Sequence, residues 1–168
     1  MTEKTPHKFK EKREETYEQL FRIRYSDTVQ LARQFERVLG RQKTFEIIGN
    51  MFDRMGVQMV RHMTEKEPIK NFQDFVVSYK NSLKDPLFSH ALTVEIKEET
   101  PKMLKLHVTE CLWAKIFREM NAADIGYVVV CHPDFPMAQA FHPRIKMGRT
   151  KTLMQGDSCC NHTYYWEE

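Results

Sequence analysis

No apolar run in this 168-residue chain approaches the ~18 residues of a membrane-spanning helix, and the N-terminus lacks the apolar stretch of a secretory signal. Both absences predict a cytoplasmic protein with no membrane partner. Gly-rich phosphate loops of either type are missing, as are HExxH, GxSxG, CxxC and EF-hand patterns. Nucleotide and dinucleotide chemistry by the common routes is therefore not expected. Glycine and proline are sparse, at 6 and 7 residues, so collagen-like and low-complexity readings fall away, and no internal repeat is visible. Charge of one sign is lacking too: 26 Lys and Arg are interleaved with 23 Asp and Glu for a net +3. No nucleic-acid partner is expected from such a mixture. The densest basic stretch, Lys4, Lys8, Lys10, Lys12 and Arg13, is diluted by Glu3, Glu11, Glu14 and Glu15, so residues 1–13 read as a flexible charged leader.

What is present is enough for one core. With 41% hydrophobic residues, positions 14–168 predict a single α+β domain, helical over 14–84 and sheet-forming over 88–168. Val29, Ala32, Phe35 and Val38 recur at helical spacing, and Ile48, Met51, Phe52, Met55, Met59 and Met63 repeat the pattern. Both stripes are expected to be core, although a Met-rich stripe also suits an adaptable binding surface. Gly40 separates two helices and Pro68 ends the second. A third helix over Phe72 to Ser82 should stop before Pro86.

Beyond Pro86 the period falls to two. Leu92, Val94 and Ile96, then Leu104, Leu106 and Val108, predict an antiparallel hairpin broken near Glu98-Glu99-Thr100-Pro101. A helix follows from Leu112 to Met120. Tyr127 to Val130 reads as a short buried strand, with a helical turn as the alternative. Thr150 to Met154 and Cys160 to Trp166 flank the turn signal Gln155-Gly156-Asp157-Ser158 and predict a second hairpin.

All four cysteines, Cys111, Cys131, Cys159 and Cys160, lie in the last third, beside other reactive groups. Cys111 falls where a strand meets a helix, and a helix N-terminus favours the thiolate; the opposing reading is an inert buried thiol. Cys131-His132-Pro133-Asp134 follows the short strand as a loop that Pro133 and Pro136 hold in one conformation, and Asp134 could shuttle protons or merely cap a helix. Strand alternation places Cys160, His162, Tyr164 and Trp166 on one face, with Cys159 on the other. His142 offers an acid and Arg149 a carboxylate anchor, while Asp157 could be only a turn residue.

Four elements in order carry a family resemblance: Cys111-Leu112-Trp113, Cys131 with Asp134, Arg149-Thr150, and Gly156-Asp157 with Cys160. Over about residues 105 to 166 the chain resembles the L-2-amino-thiazoline-4-carboxylic acid hydrolase family, departing from its pattern at His142 and over Cys159 to His162. The resemblance implies a thiol-dependent hydrolase that opens a small cyclic C=N substrate. Cys111 would attack the electrophilic carbon, Asp134 or a histidine would shuttle the proton, and Cys160 would be a second pocket thiol. Arg149, His142 and Trp113 would contact the substrate; Cys131, His132, Asp157 and His162 are further site candidates. No cofactor is required on this reading.

Two rival readings stand beside it. A helical cap over an antiparallel sheet ending in Gly-Asp-x-x-Cys also resembles ligand-binding modules related to the 4-vinyl reductase domain. The chain would then be a non-catalytic sensor of a small ligand, or of zinc or iron held by Cys111, Cys131, Cys160 and His162. The third reading is an interaction protein that forms a homo-oligomer through the Met-rich stripe.

Overall fold

A computed structural model describes residues 13–168, so all of the charged leader except Arg13 lies outside the described residues. Helix α1, Tyr17–Leu39, starts where Thr16 accepts from the Gln19 backbone while the Gln19 side chain reciprocates. It ends at Gly40, whose φ of 77° is open to glycine at little cost, and α2, Arg41–Lys66, starts at once. The two pack as a helical hairpin. Asp124 fastens that hairpin to the rest of the chain, accepting from Arg33 at 2.8 and 3.0 Å and from Arg41 at 2.7 Å.

The inner face of α2 is not the predicted one. Thr44, Ile48, Gly49 and Val60 are buried and Phe52 is half-buried, whereas Met51, Met55, Met59 and Met63 are exposed. On α1, Ala32 is buried and Val29 half-buried, but Leu31, Phe35, Val38 and Leu39 are exposed. Close approach decides the matter: small residues let α2 lie against its neighbours, and a Cβ on Gly49 would come within 3.2 Å of Val128, one on Gly56 within 2.7 Å of Met137. The methionines are left outside.

Helix α3, Phe72–Ser82, is capped by Asn71 and buries Phe72, Phe75 and Val76. Pro86 does not merely stop it. It opens a short helix α4, Pro86–Ala91, at the first helical position, where its missing N–H is no loss and Asp85 caps Leu87.

Strands β1, Leu92–Thr100, and β2, Met103–Cys111, form the expected hairpin. They continue into a four-stranded antiparallel sheet of order β1-β2-β4-β3, where β3 is Ile145–Gly148 and β4 is Cys160–Trp166. Leu104, Leu106 and Val108 of β2 lie opposite Tyr164, His162 and Cys160 of β4, and this face meets Phe75 and Val76 of α3. The fold is α+β, helices first and sheet after.

Three local expectations are corrected. Tyr127–Cys131 is a π-helical turn continuing α6, Ala123–Gly126, and not a strand. Its β-branched residues pack helically on α2 and on the core around Phe117 and Ile125. The loop expected after Cys131 is helix α7, Asp134–Phe141; Pro133 and Pro136 fall at its start, where prolines are tolerated. The partner of β4 is Ile145–Gly148, because Thr150–Met154 carries its backbone into a 3-10 turn over Leu153–Gln155, closed by Gly156 at φ 101°.

Gly126 bears the tightest contact: a Cβ there would lie 2.6 Å from Met154 Sδ and Phe117 Cγ. Gly126→Ala is expected to lower stability by about 1–3 kcal/mol, read as a lower urea midpoint. An unchanged midpoint would mean that Phe117 steps aside freely.

Candidate functional site

Strand β2 runs directly into α5, Leu112–Glu119, which packs against α1, α6 and the 3-10 turn over Leu153–Gln155. Cys111 is the N-cap of α5, its Sγ accepting from the Ala114 N–H at 3.4 Å. That donor favours the thiolate, yet burial outweighs it and pushes the thiol up to about 11. Of the two readings of Cys111, this burial favours the protonated thiol at neutral pH over the thiolate. Burial also raises Cys131 and Cys160, the latter although its Sγ accepts from the Leu153 N–H at 3.3 Å.

Arg149, just past β3, keeps only 2% of its side chain exposed. Its Nη1 donates to Asp134 Oδ2 at 2.7 Å and its Nη2 to the Cys131 carbonyl at 2.8 Å. That carbonyl is free because the Phe135 N–H bonds His132 and Pro136 has none to offer. The rings of Phe135 and Tyr127 lie 5.0 and 5.7 Å from the guanidinium carbon. Arg149 thus ties α7, the π-helical turn and the sheet together. Asp134 is half-buried, with 30% of its side chain accessible, and burial lifts its pKa to about 6 against the pull of Arg149.

His162 Nε2 lies 3.4 Å from Arg149 Nη1, and its buried Nδ1 has no hydrogen-bond partner among the described residues. Burial first, then the Arg149 charge, holds this imidazole down to about 3, so it stays neutral. Cys111 lies within electrostatic reach of Cys160 and Asp134, and Cys131 within reach of Asp134, Arg149, Cys111 and Cys160. The structure therefore brings Cys111, Cys131, Asp134, Arg149, Cys160 and His162 into one polar cluster.

Other sequence candidates lie elsewhere. Trp113 donates to the Tyr25 hydroxyl at 3.0 Å and packs on Phe21 and Phe88, away from the cluster. His142 stacks on Trp166 and accepts from the Arg144 N–H. His132 pairs with Asp53 at 3.0 Å on the surface, within electrostatic reach of Asp134 but turned to another partner, and Asp157 accepts from the Thr152 N–H inside its turn. Among the described residues no group of three or more His, Cys, Asp and Glu side chains is arranged to hold a metal ion, Cys111, Cys131, Cys160 and His162 included.

An open cleft of about 750 Å³ between α4, β1 and α5 reaches the cluster, lined by Cys111, Leu153, Ala114, Leu92 and the charged Lys115, Arg118, Glu110 and Glu119. Cys111 belongs to both the cleft and the cluster. Sequence reasoning missed Lys115 and Arg118; their only signal was a place on the polar face of the helix that Cys111 caps.

The cluster carries two opposed pH dependences. The raised Asp134 binds a proton in the folded chain between about 6 and its ordinary ~3.9, so its contribution to stability grows as pH falls and is lost as pH rises through about 6. His162, depressed from ~6.5 to about 3, contributes fully above pH 6.5 and loses that contribution as pH falls. Melting Asp134→Asn from about pH 7 to about pH 5 is expected to show a steeper fall than wild type, and His162→Gln a shallower one. Parallel curves for all three proteins would contradict both shifts.

No curated protein sequence matches this chain. Among solved structures, the phenol-responsive sensory domain of the transcription activator PoxR with phenol is similar at 9% identity and a TM-score of 0.50, covering 90% of this chain and 75% of that one. Subunit 3 of a trafficking protein particle complex from Naegleria fowleri, covalently bound to palmitic acid, is similar at 12% identity and a TM-score of 0.52, covering 90% and 95%. At such identities the likeness is one of fold. The family model of L-2-amino-thiazoline-4-carboxylic acid hydrolase matches residues 14–164, helical half included. The chain belongs to the L-2-amino-thiazoline-4-carboxylic acid hydrolase family.

Proposed function

We propose that this protein is a thiol-dependent hydrolase that opens a small cyclic C=N substrate of the thiazoline or amidine class. The observation that carries the proposal is the double position of Cys111, in the wall of an open cleft and within electrostatic reach of the Asp134 charge. A thiol held near 11 is a poor nucleophile by itself. A cyclic amidine is a cation when protonated, and beside Cys111 it supplies the positive charge that the resting site lacks, so binding favours the thiolate.

Sulfur then bonds to the C=N carbon of the protonated amidine, the C=N π electrons passing to nitrogen and the thiol proton to the Asp134 carboxylate. Asp134 Oδ2 is engaged by Arg149, which leaves Oδ1 for that transfer. The tetrahedral adduct breaks its ring bond from carbon to the leaving heteroatom, which takes the proton that Asp134 received. Water displaces the Cys111 sulfur from the resulting acyl-like carbon, and the thiol is restored. Arg149 positions Asp134, because its own donors are turned to the protein; Lys115 and Arg118 are the cleft cations suited to a substrate carboxylate.

A second reading is favoured by the protonated resting thiol: the cleft binds a small ligand without reacting, as a sensor does. Incubation with 2-amino-thiazoline-4-carboxylate and simple cyclic amidines separates the two. Hydrolysis predicts loss of the thiazoline and release of a new thiol, together with a transient adduct on Cys111 in acid-quenched samples. A ligand that raises the melting temperature and is recovered unchanged supports the sensor and contradicts the hydrolase.

A further inference from the structure

The charged side chains of the cleft wall are not equivalent. Lys115 and Glu119 belong to a network between α1 and α5: Lys115 donates to Glu18 at 2.6 Å, Arg22 donates to Glu18 at 2.9 Å, and Arg22 also pairs with Glu119. Two cations there face two carboxylates, and their charges largely offset one another. Arg118 and Glu110 stand outside this network. Among the described residues the Arg118 side chain makes no ion pair or hydrogen bond, and the Glu110 carboxylate accepts only from the Thr93 hydroxyl.

Their places in the chain give a ligand a direction. Glu110 immediately precedes Cys111 at the end of β2, whereas Arg118 lies seven residues beyond it on α5. Seven residues are nearly two helical turns, so Arg118 returns to within about 20° of the Cys111 side of α5, about 10 Å farther along its axis. Side chains of a helix lean toward its N-terminus, which for Arg118 is the Cys111 end. The cation of an amidine bound at Cys111 therefore lies beside Glu110, and an anionic group on the same ligand finds its unpaired counter-charge at Arg118. Arg149 is not available for that task, because its donors are turned to Asp134 and the Cys131 carbonyl.

We propose that Arg118 and Glu110 are the specificity-determining charges of the cleft, Arg118 binding the carboxylate and Glu110 the amidinium of one zwitterionic ligand. The assignment rests on the reading of the cleft as the ligand site, and not on turnover there.

Calorimetric titration of full-length Cys111→Ala, which cannot form the covalent adduct, separates recognition from reaction. Two probes are compared: 2-amino-thiazoline-4-carboxylate, and 2-amino-thiazoline without the carboxylate. The carboxylated probe should bind about 10-fold tighter or more. Adding Arg118→Gln should remove that preference by weakening the carboxylated probe alone, and Arg118→Lys should restore part of it. Adding Glu110→Gln should weaken both probes by a similar factor, since both carry the amidine. Both residues are exposed, so circular dichroism should show every variant folded. Equal affinity for the two probes, an Arg118→Gln that weakens both alike, a Glu110→Gln that weakens neither, or no binding of either probe would overturn the proposal. Selective binding without turnover by the wild type would uphold it and contradict the hydrolase; turnover of the carboxylated probe that Arg118→Gln left unchanged would do the reverse.

Discussion

Replacing Arg149 with leucine is expected to destabilise the fold by about 3–5 kcal/mol, the largest effect of any single substitution in the site. Arg149 joins three elements through Asp134, the Cys131 carbonyl and the edge of His162, with its side chain almost wholly out of solvent. Its loss leaves the half-buried Asp134 carboxylate without a counter-charge and the Cys131 carbonyl without a donor. Asp134 can then escape only by taking up a proton, so the variant should regain part of its deficit as pH falls. Arg149→Leu with Asp134→Leu should be less damaged than Arg149→Leu alone, because the double change removes both charges. Urea melts of the three variants at neutral and acidic pH check this. A double variant as unstable as the sum of the two singles would mean that the pair does not act as a unit.

The second large effect concerns turnover. Cys111→Ala is expected to lower thiazoline opening by about 10³-fold or more, since the covalent step has no other thiol in the cleft wall. Cys131, Cys159 and Cys160 are buried, while Cys111 is only half-buried. The thiol's hydrogen bond from the Ala114 N–H is sulfur-weak, so stability should change by less than about 1 kcal/mol. Cys160→Ala should retain much of the activity, because Cys160 touches the Leu153 N–H behind the cleft and not the cleft itself. Steady-state rates of both variants on one thiazoline provide the check. Full activity in Cys111→Ala would remove Cys111 from the chemistry.

Much of the architecture was legible where one physical rule acts alone. The β1–β2 hairpin follows from strict alternation at Leu104, Leu106 and Val108, and the helical half from its period near 3.6. Legibility failed where two rules compete. Four methionines on α2 look like core by hydrophobicity, but Gly49 and Gly56 permit a closer approach on another face, and shape complementarity took that face. Val128, Val129 and Val130 look like strand by propensity, yet they sit in a helical segment anchored by the Phe117 core. In the site, the segment ends that carry Cys111, Cys131, Asp134 and Cys160 were visible because each follows a change of period. The Arg149–Asp134 pair was not, since nothing local to residues 15 apart says that they meet. Nor could spacing weigh burial against a helix N-terminus at Cys111, where the outcome is set by enclosure from distant segments.

The most direct test of the account is alkylation of the native protein with iodoacetamide, read by mass spectrometry at each cysteine with and without a saturating cyclic amidine. Cys111 should label first among the four, slowly at neutral pH and faster toward pH 9 as its raised pKa requires, and the amidine should protect it from the reagent. Labelling that began at Cys131 or Cys160, or a Cys111 that reacted equally well with the ligand bound, would contradict the placement of the reacting thiol in the ligand cleft.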